Sequence, residues 1–166
     1  MGRDKQKDGG LVAAGILLGV GLGGFVDGIV FHQILQWHNM LSSILPPTNL
    51  RDMKINMFFD GLFHAIAWMT TVIGLAVLWH GIKKDTIPRS TPTFVGAMSL
   101  GWGLFNFVEG LIDHQLFGIH HVRPGAHALV WDIGFLASGL LLGGLGWALL
   151  RKGRALSTSR TQRSST

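Results

Sequence analysis

The sequence has no cysteine and no tyrosine, and charged residues make up only 14% of its 166 positions against 48% hydrophobic. Without cysteine there is no disulfide framework and no thiolate metal site. The scarcity of charge, with a positive mean hydropathy, argues against an ordinary soluble domain and points to a membrane. No phosphate-binding glycine loop and no serine or cysteine nucleophile arrangement is present. The net charge of +5 could suggest nucleic acid, but the basic residues sit in short flanks between apolar runs, as topology signals do. No nucleic-acid partner is expected.

What the sequence does contain is one stretch written twice. Phe25–Met40, FVDGIVFHQILQWHNM, returns without a gap as Phe107–Val122, FVEGLIDHQLFGIHHV, 82 residues later. Six of sixteen positions are identical: Phe25/Phe107, Val26/Val108, Gly28/Gly110, His32/His114, Gln33/Gln115 and His38/His120. Asp27 stands opposite Glu109. A fainter echo pairs Asp60–Gly81 with Asp132–Gly153. An internal duplication governs how the whole fold is read.

Four apolar spans follow, each near the roughly 20 residues that cross a bilayer core. The expected helices run over about 11–39, 56–81, 93–119 and 126–151. They make up a 11–150 transmembrane domain between a polar 1–10 tail and a basic, disordered 151–166 tail. A charged start before an apolar core resembles a signal peptide, but no A-x-A-like site follows, so the first helix is expected to be retained. Pro46-Pro47 with Arg51, Asp52 and Lys54 marks one loop, and GIKKDTIPRSTPT another. Lysine and arginine number eleven on the side of the two tails and the middle loop, against three in the other loops. The positive-inside rule then places both termini in the cytoplasm of a bacterial inner membrane. A repeated two-helix unit keeps its orientation, so the expected fold is an all-α four-helix bundle, its halves related by a pseudo-two-fold axis along the membrane normal. Gly15, Gly19 and Gly23 have the small-xxx-small spacing of helix contacts. They suit either the internal bundle or a homodimer.

Helix rise converts spacing to depth. Asp27 lies about 24 Å and His32 about 31 Å from a start at Leu11, in the outer half of a core about 30 Å thick. Glu109 and His114 repeat that pair. Asp60 and His64, entering from outside, reach the same layer, and Asp132 repeats Asp60. Intramembrane charges cost about 2.5–3.5 kcal/mol each on insertion scales and normally face the bundle interior. Four carboxylates in one layer need protons, histidinium partners or a cation. Imidazole with carboxylate suits zinc, copper(II), iron or manganese. The expected metal ligands are therefore Asp27, His32, Asp60, His64, Glu109, His114 and Asp132. Asp60 and His64, four apart, share a helical face. Asp27/His32 and Glu109/His114, five apart, diverge by about 140° on an α-helix. His38, His120, His121 and His127 are expected just above, as an outer mouth or second site, because a straight helix puts the first two about 16 Å from their acids. His80 reads as a helix-end residue.

The strings DGIVFHQILQWHNM, FFDGLFHA and EGLIDHQLFGIHHVRPG resemble the DUF2243 family, bacterial four-helix membrane proteins of unknown function, over nearly all the chain between the tails. Members sometimes accompany, or are fused to, membrane factors that assist cytochrome oxidase assembly, where copper is handled. The resemblance therefore implies metal or respiratory work and a respiratory-chain assembly partner. It carries no catalytic residues across. On this reading the chain is a membrane metal-binding protein for copper, zinc or iron capture or delivery. Two alternatives use the same residues. One is a redox enzyme, with a di-metal centre (against which the missing Glu-x-x-His spacing counts) or haem held by His32 and His114. The other is a proton or ion channel or transporter.

Overall fold

In the computed structural model, the backbone of residues 2–163 and the side chains of residues 9–157 and 159 are described. The chain forms four long helices and, among the described residues, no strand. Helix α1 spans Gly2–Val26 and passes without a break into a π-helical segment, Asp27–Ile34. Helix α2 is Leu50–Lys83. Helix α3, Thr91–Glu109, passes into a second π-helical segment, Gly110–Leu116, and α4 is Ala128–Arg163. Each helix is long and apolar enough to cross a bilayer. The exposed faces of α2 and α4, with residues such as Phe58, Leu62, Ile66, Trp68, Leu140 and Leu141, are apolar as a lipid-facing surface must be.

The helices pack in the order α2, α1, α3, α4, with α1 and α3 central and α2 and α4 touching only one central helix each. Glycine sets this order. A methyl group on Gly19 would run into the Met98 carbonyl of α3, and one on Gly101 into the Ile16 carbonyl of α1. The two central backbones therefore lie in direct contact, the close approach for which small residues are used in membranes. Gly103 lies equally close to α4, its missing Cβ 2.6 Å from the Gly139 carbonyl. Gly15, Gly19 and Gly23 all face α3, inside the bundle. Ser99 donates to the Leu142 carbonyl at 2.8 Å and Asn106 to the Ser138 hydroxyl at 2.9 Å, joining α3 to α4.

Local sequence sets the helix starts. The Asn49 side chain caps α2 by accepting from Asp52 N at 3.0 Å. Ser90 caps α3 ahead of Pro92 in the first turn.

Two boundaries differ from the sequence expectation. The tail expected to be disordered from Arg151 continues α4 as far as Arg163, and its last residues, 164–166, lie outside the described part. More consequentially, the straight helices expected to 39 and 119 stop at the ends of the π-segments. There Leu35 N donates to Val30 O and Phe117 N to Ile112 O, both at 2.8 Å and five residues back. Gln36, φ 51°, and Gly118, φ 58°, then turn the chain through the left-handed region. Both chain segments fold back over the bundle instead of rising out of it.

Candidate metal centre

The π-segments resolve the awkward spacing of five. In an i→i+5 helix, groups five apart lie above one another, and Asp27 Oδ2 stands 3.3 Å from His32 Nε2. Glu109 Oε1 is 3.0 Å from His114 Nε2. A straight α-helix would have splayed both pairs. The neighbouring outer helix then closes on each histidine from its other side. Asp60 of α2 reaches His32 Nδ1 at 3.0 Å, and Asp132 of α4 lies 3.6 Å from His114 Nδ1.

The folded-back segments bring the remaining ligands. His38 and His120, 3% and 1% exposed, lie in the same buried layer as His32 and His114. This corrects the expectation of an outer mouth, which assumed a helix continuing past Leu35 and Phe117. The His38 and His120 rings stack with centroids 4.6 Å apart. His32 lies 4.4 Å from His38, and His114 lies 4.8 Å from His120. His38 Nδ1 donates to the Val122 carbonyl at 2.8 Å, and His120 Nδ1 to the Met40 carbonyl at 3.1 Å. Phe63 stacks on His32 and Phe135 packs on His114, so both ends of the row are walled by aromatic rings.

A hydrogen-bonded shell holds the outer carboxylates. Asp60 accepts from Asn39 Nδ2 and from Met40 N, each at 2.7 Å. Asp132 accepts from Val122 N at 3.0 Å and pairs with His121 Nδ1 at 2.7 Å. Asn56, fully buried, donates to the Leu45 carbonyl and accepts from Leu41 N, pinning the first folded-back segment. Sequence reasoning missed Asn39 and Asn56. The signal for Asn39 was present, since position 121, its counterpart at the 82-residue offset, is a histidine that bonds the equivalent carboxylate.

The structure thus brings together Asp27, His32, Asp60, Glu109, His114 and Asp132 of the expected ligands, and adds His38 and His120. It does not bring in His64. That ring turns back along its own helix, Nδ1 on the Asp60 carbonyl at 2.7 Å, and packs against Gly28. Sharing a helical face with Asp60 put it beside the carboxylate's backbone, not beside the other ligands. His121 supports Asp132 from a partly exposed position. His127 lies exposed in the loop with Arg123, whose guanidinium sits 5.1 Å over the Trp37 ring and 5.7 Å over Trp131.

The electrostatics are unusual. Asp27, Asp60, Glu109 and Asp132 are all at most 7% exposed, and among the described residues every ion pair they make is with histidine. Asp27 Oδ1, Glu109 Oε2, His32 Nε2, His38 Nε2 and His114 Nε2 are buried without a hydrogen-bond partner. The 3.0 and 3.3 Å approaches of His114 and His32 to their acids are close contacts without hydrogen-bond alignment. Such orphans are costly unless something else satisfies them. Burial, reinforced by His120 and His32, pushes the His38 imidazole down to about 3, so its ring is neutral and carries a lone pair. Two sets of buried side chains place their ligand atoms within 4.8 Å of one another: His32, His38 and His120; and Glu109, His114 and His120. Both are groups that could hold a metal ion.

Fold and site together define a multi-pass membrane protein built on a four-helix bundle, with a buried histidine and carboxylate centre. The chain belongs to a family described as predicted membrane protein (DUF2243), whose model matches residues 14–153. No curated protein and no solved structure matches it.

Proposed function

We propose that this chain is a metal-binding protein of a bacterial inner membrane that captures or delivers a transition-metal ion through a centre in the outer half of the bilayer. One observation carries the reading. His32, His38 and His120 each engage an acceptor through Nδ1, and His114 turns its Nδ1 toward Asp132, leaving all four Nε2 atoms directed inward. This is how ligating histidines are held, with the far nitrogen fixed by a carboxylate or carbonyl. A network of histidinium–carboxylate pairs would instead place a proton from each Nε2 on an acid. The unpartnered Nε2 atoms of His32, His38 and His114 argue against that arrangement.

The ligand set of imidazole and carboxylate favours zinc, iron or copper(II). The company that the resembling family keeps with oxidase assembly factors adds delivery of copper to a respiratory oxidase. Haem fits less well, because the stacked rings of His38 and His120 lie between His32 and His114, where a porphyrin would have to go. Both termini are placed in the cytoplasm by the lysine and arginine distribution. Matching bonds at the 82-residue offset support two halves related by a pseudo-two-fold axis: His38 to Val122 and His120 to Met40, Met40 N to Asp60 and Val122 N to Asp132.

Elemental analysis and an optical spectrum of protein purified in detergent without chelator test the reading, beside a His32→Ala, His38→Ala double variant. Metal near stoichiometry, lost in the variant, is the expected result. A wild type that is metal-free and takes up no copper, zinc, iron or manganese would overturn it and leave a proton or ion relay as the better account.

A further inference from the structure

The reading of a metal centre leaves its nuclearity open, and the arrangement of side chains speaks to it. Ring distances sort the histidines by half. His32 and His38 are 4.4 Å apart, and His114 and His120 are 4.8 Å apart, whereas the cross-pairs His32–His120 and His38–His114 open to 5.9 and 6.4 Å. The buried atoms without partners also fall in both halves, with Asp27 Oδ1, His32 Nε2 and His38 Nε2 in one, and Glu109 Oε2 and His114 Nε2 in the other. The two candidate ligand groups overlap only in His120. Its Nδ1 is committed to Met40 O, so one nitrogen remains for one ion, and that Nε2 lies 2.9 Å from Glu109.

We infer that the centre holds two transition-metal ions side by side, one bound by Asp27, His32 and His38 and the other by Glu109, His114 and His120. This rests on the proposed metal-binding function. Each ion then has two histidines and one carboxylate, a set that leaves coordination positions open, and the open positions of the two ions face one another across the stacked His38 and His120 rings. A small anion, hydroxide or its analogue azide, is the ligand class that bridges them. Charge agrees. Two divalent cations neutralise the four buried carboxylates, whereas one would leave two negative charges in a low-dielectric layer without an arginine or lysine beside them.

The test is metal stoichiometry on chelator-stripped protein in detergent, titrated with cobalt(II) and separately with zinc(II), with Asp27→Asn, Glu109→Gln and His127→Ala variants in parallel. Two equivalents per chain are expected for the wild type and for His127→Ala, and one for each carboxylate variant. Azide should shift the d–d bands of the two-cobalt form and not those of the one-cobalt variants. One equivalent in the wild type would overturn the inference and leave the metal-binding function standing. No uptake would overturn both. Two equivalents that both carboxylate variants retain would place the ions elsewhere and also overturn it. Should a variant fail to fold, the wild-type stoichiometry decides alone.

Discussion

His38 and His120 lie face to face, ring planes 7° from parallel and 4.6 Å between centroids, although 82 residues separate them and neither belongs to a regular helix. Each is held by the backbone of the other's segment. That contact is the structural reason for expecting both to be ligands. Replacing either with alanine should remove at least half of the bound metal, whereas His64→Ala should leave metal content unchanged. Elemental analysis of the purified proteins distinguishes the two outcomes, and metal loss in His64→Ala would contradict the geometry described for that ring.

The outer carboxylates act through the histidines. Asp60→Asn and Asp132→Asn keep shape and hydrogen bonding to the backbone amides but weaken the hold on His32 and His114. Loss of such a partner commonly costs 10–100-fold in metal affinity, and competition with a chromophoric chelator should show a weakening on that order. The two variants should behave alike.

Gln36 occupies a left-handed backbone conformation that disfavours any side chain, at a cost of roughly 1–2 kcal/mol. Its counterpart Gly118 carries no such cost. Gln36→Gly should therefore raise stability by about 0.5–1 kcal/mol, and Gly118→Val should lower it by more than that. Thermal unfolding in detergent gives both signs in one experiment.

The contact between α1 and α3 allows no added carbon at Gly19 or Gly101, since backbone carbonyls occupy the place. Alanine at either position should lower stability by about 1–3 kcal/mol, because the two helices must separate. An unchanged unfolding temperature would refute the close approach.

Acid should act through His38. Its folded form takes a proton only near 3, whereas an unfolded histidine takes one near 6.5. Between these values the unfolded chain binds more protons, so stability falls as pH falls from about 6.5 toward 3, by up to about 1.4 kcal/mol per pH unit. Chelator-stripped wild type should show this slope more steeply than His38→Gln under the same conditions.

The sequence made the four spans legible, because span length and charge scarcity are set by the bilayer. It also placed six of the eight grouped side chains, because buried acids and histidines in duplicate have few other uses. It failed where the backbone leaves the α-helix. Asp27 and His32 diverge at a spacing of five on an α-helix but meet in a π-helix, and apolar periodicity does not reveal that change of winding. The same omission displaced His38 and His120 upward, because a helix assumed straight carries them out of the layer into which the fold-back at Gln36 and Gly118 returns them. His64 was misassigned by the converse error: an i, i+4 spacing puts two side chains on one face but does not decide which neighbouring helix each one meets.

The reciprocal bonds of His38 to the Val122 carbonyl and of His120 to the Met40 carbonyl make the two ends of the molecule mutually dependent during biogenesis. A partly inserted chain, with α1 and α2 in the bilayer and the rest still emerging, has no Val122 carbonyl to orient His38 and no ring to stack on it. Its acids and imidazoles can sample the open arrangements of a loose hairpin, but the buried layer does not yet exist. Completion of the last helices therefore assembles the centre in a single concerted event, and its spectroscopic signature, once known, would report when membrane insertion has finished.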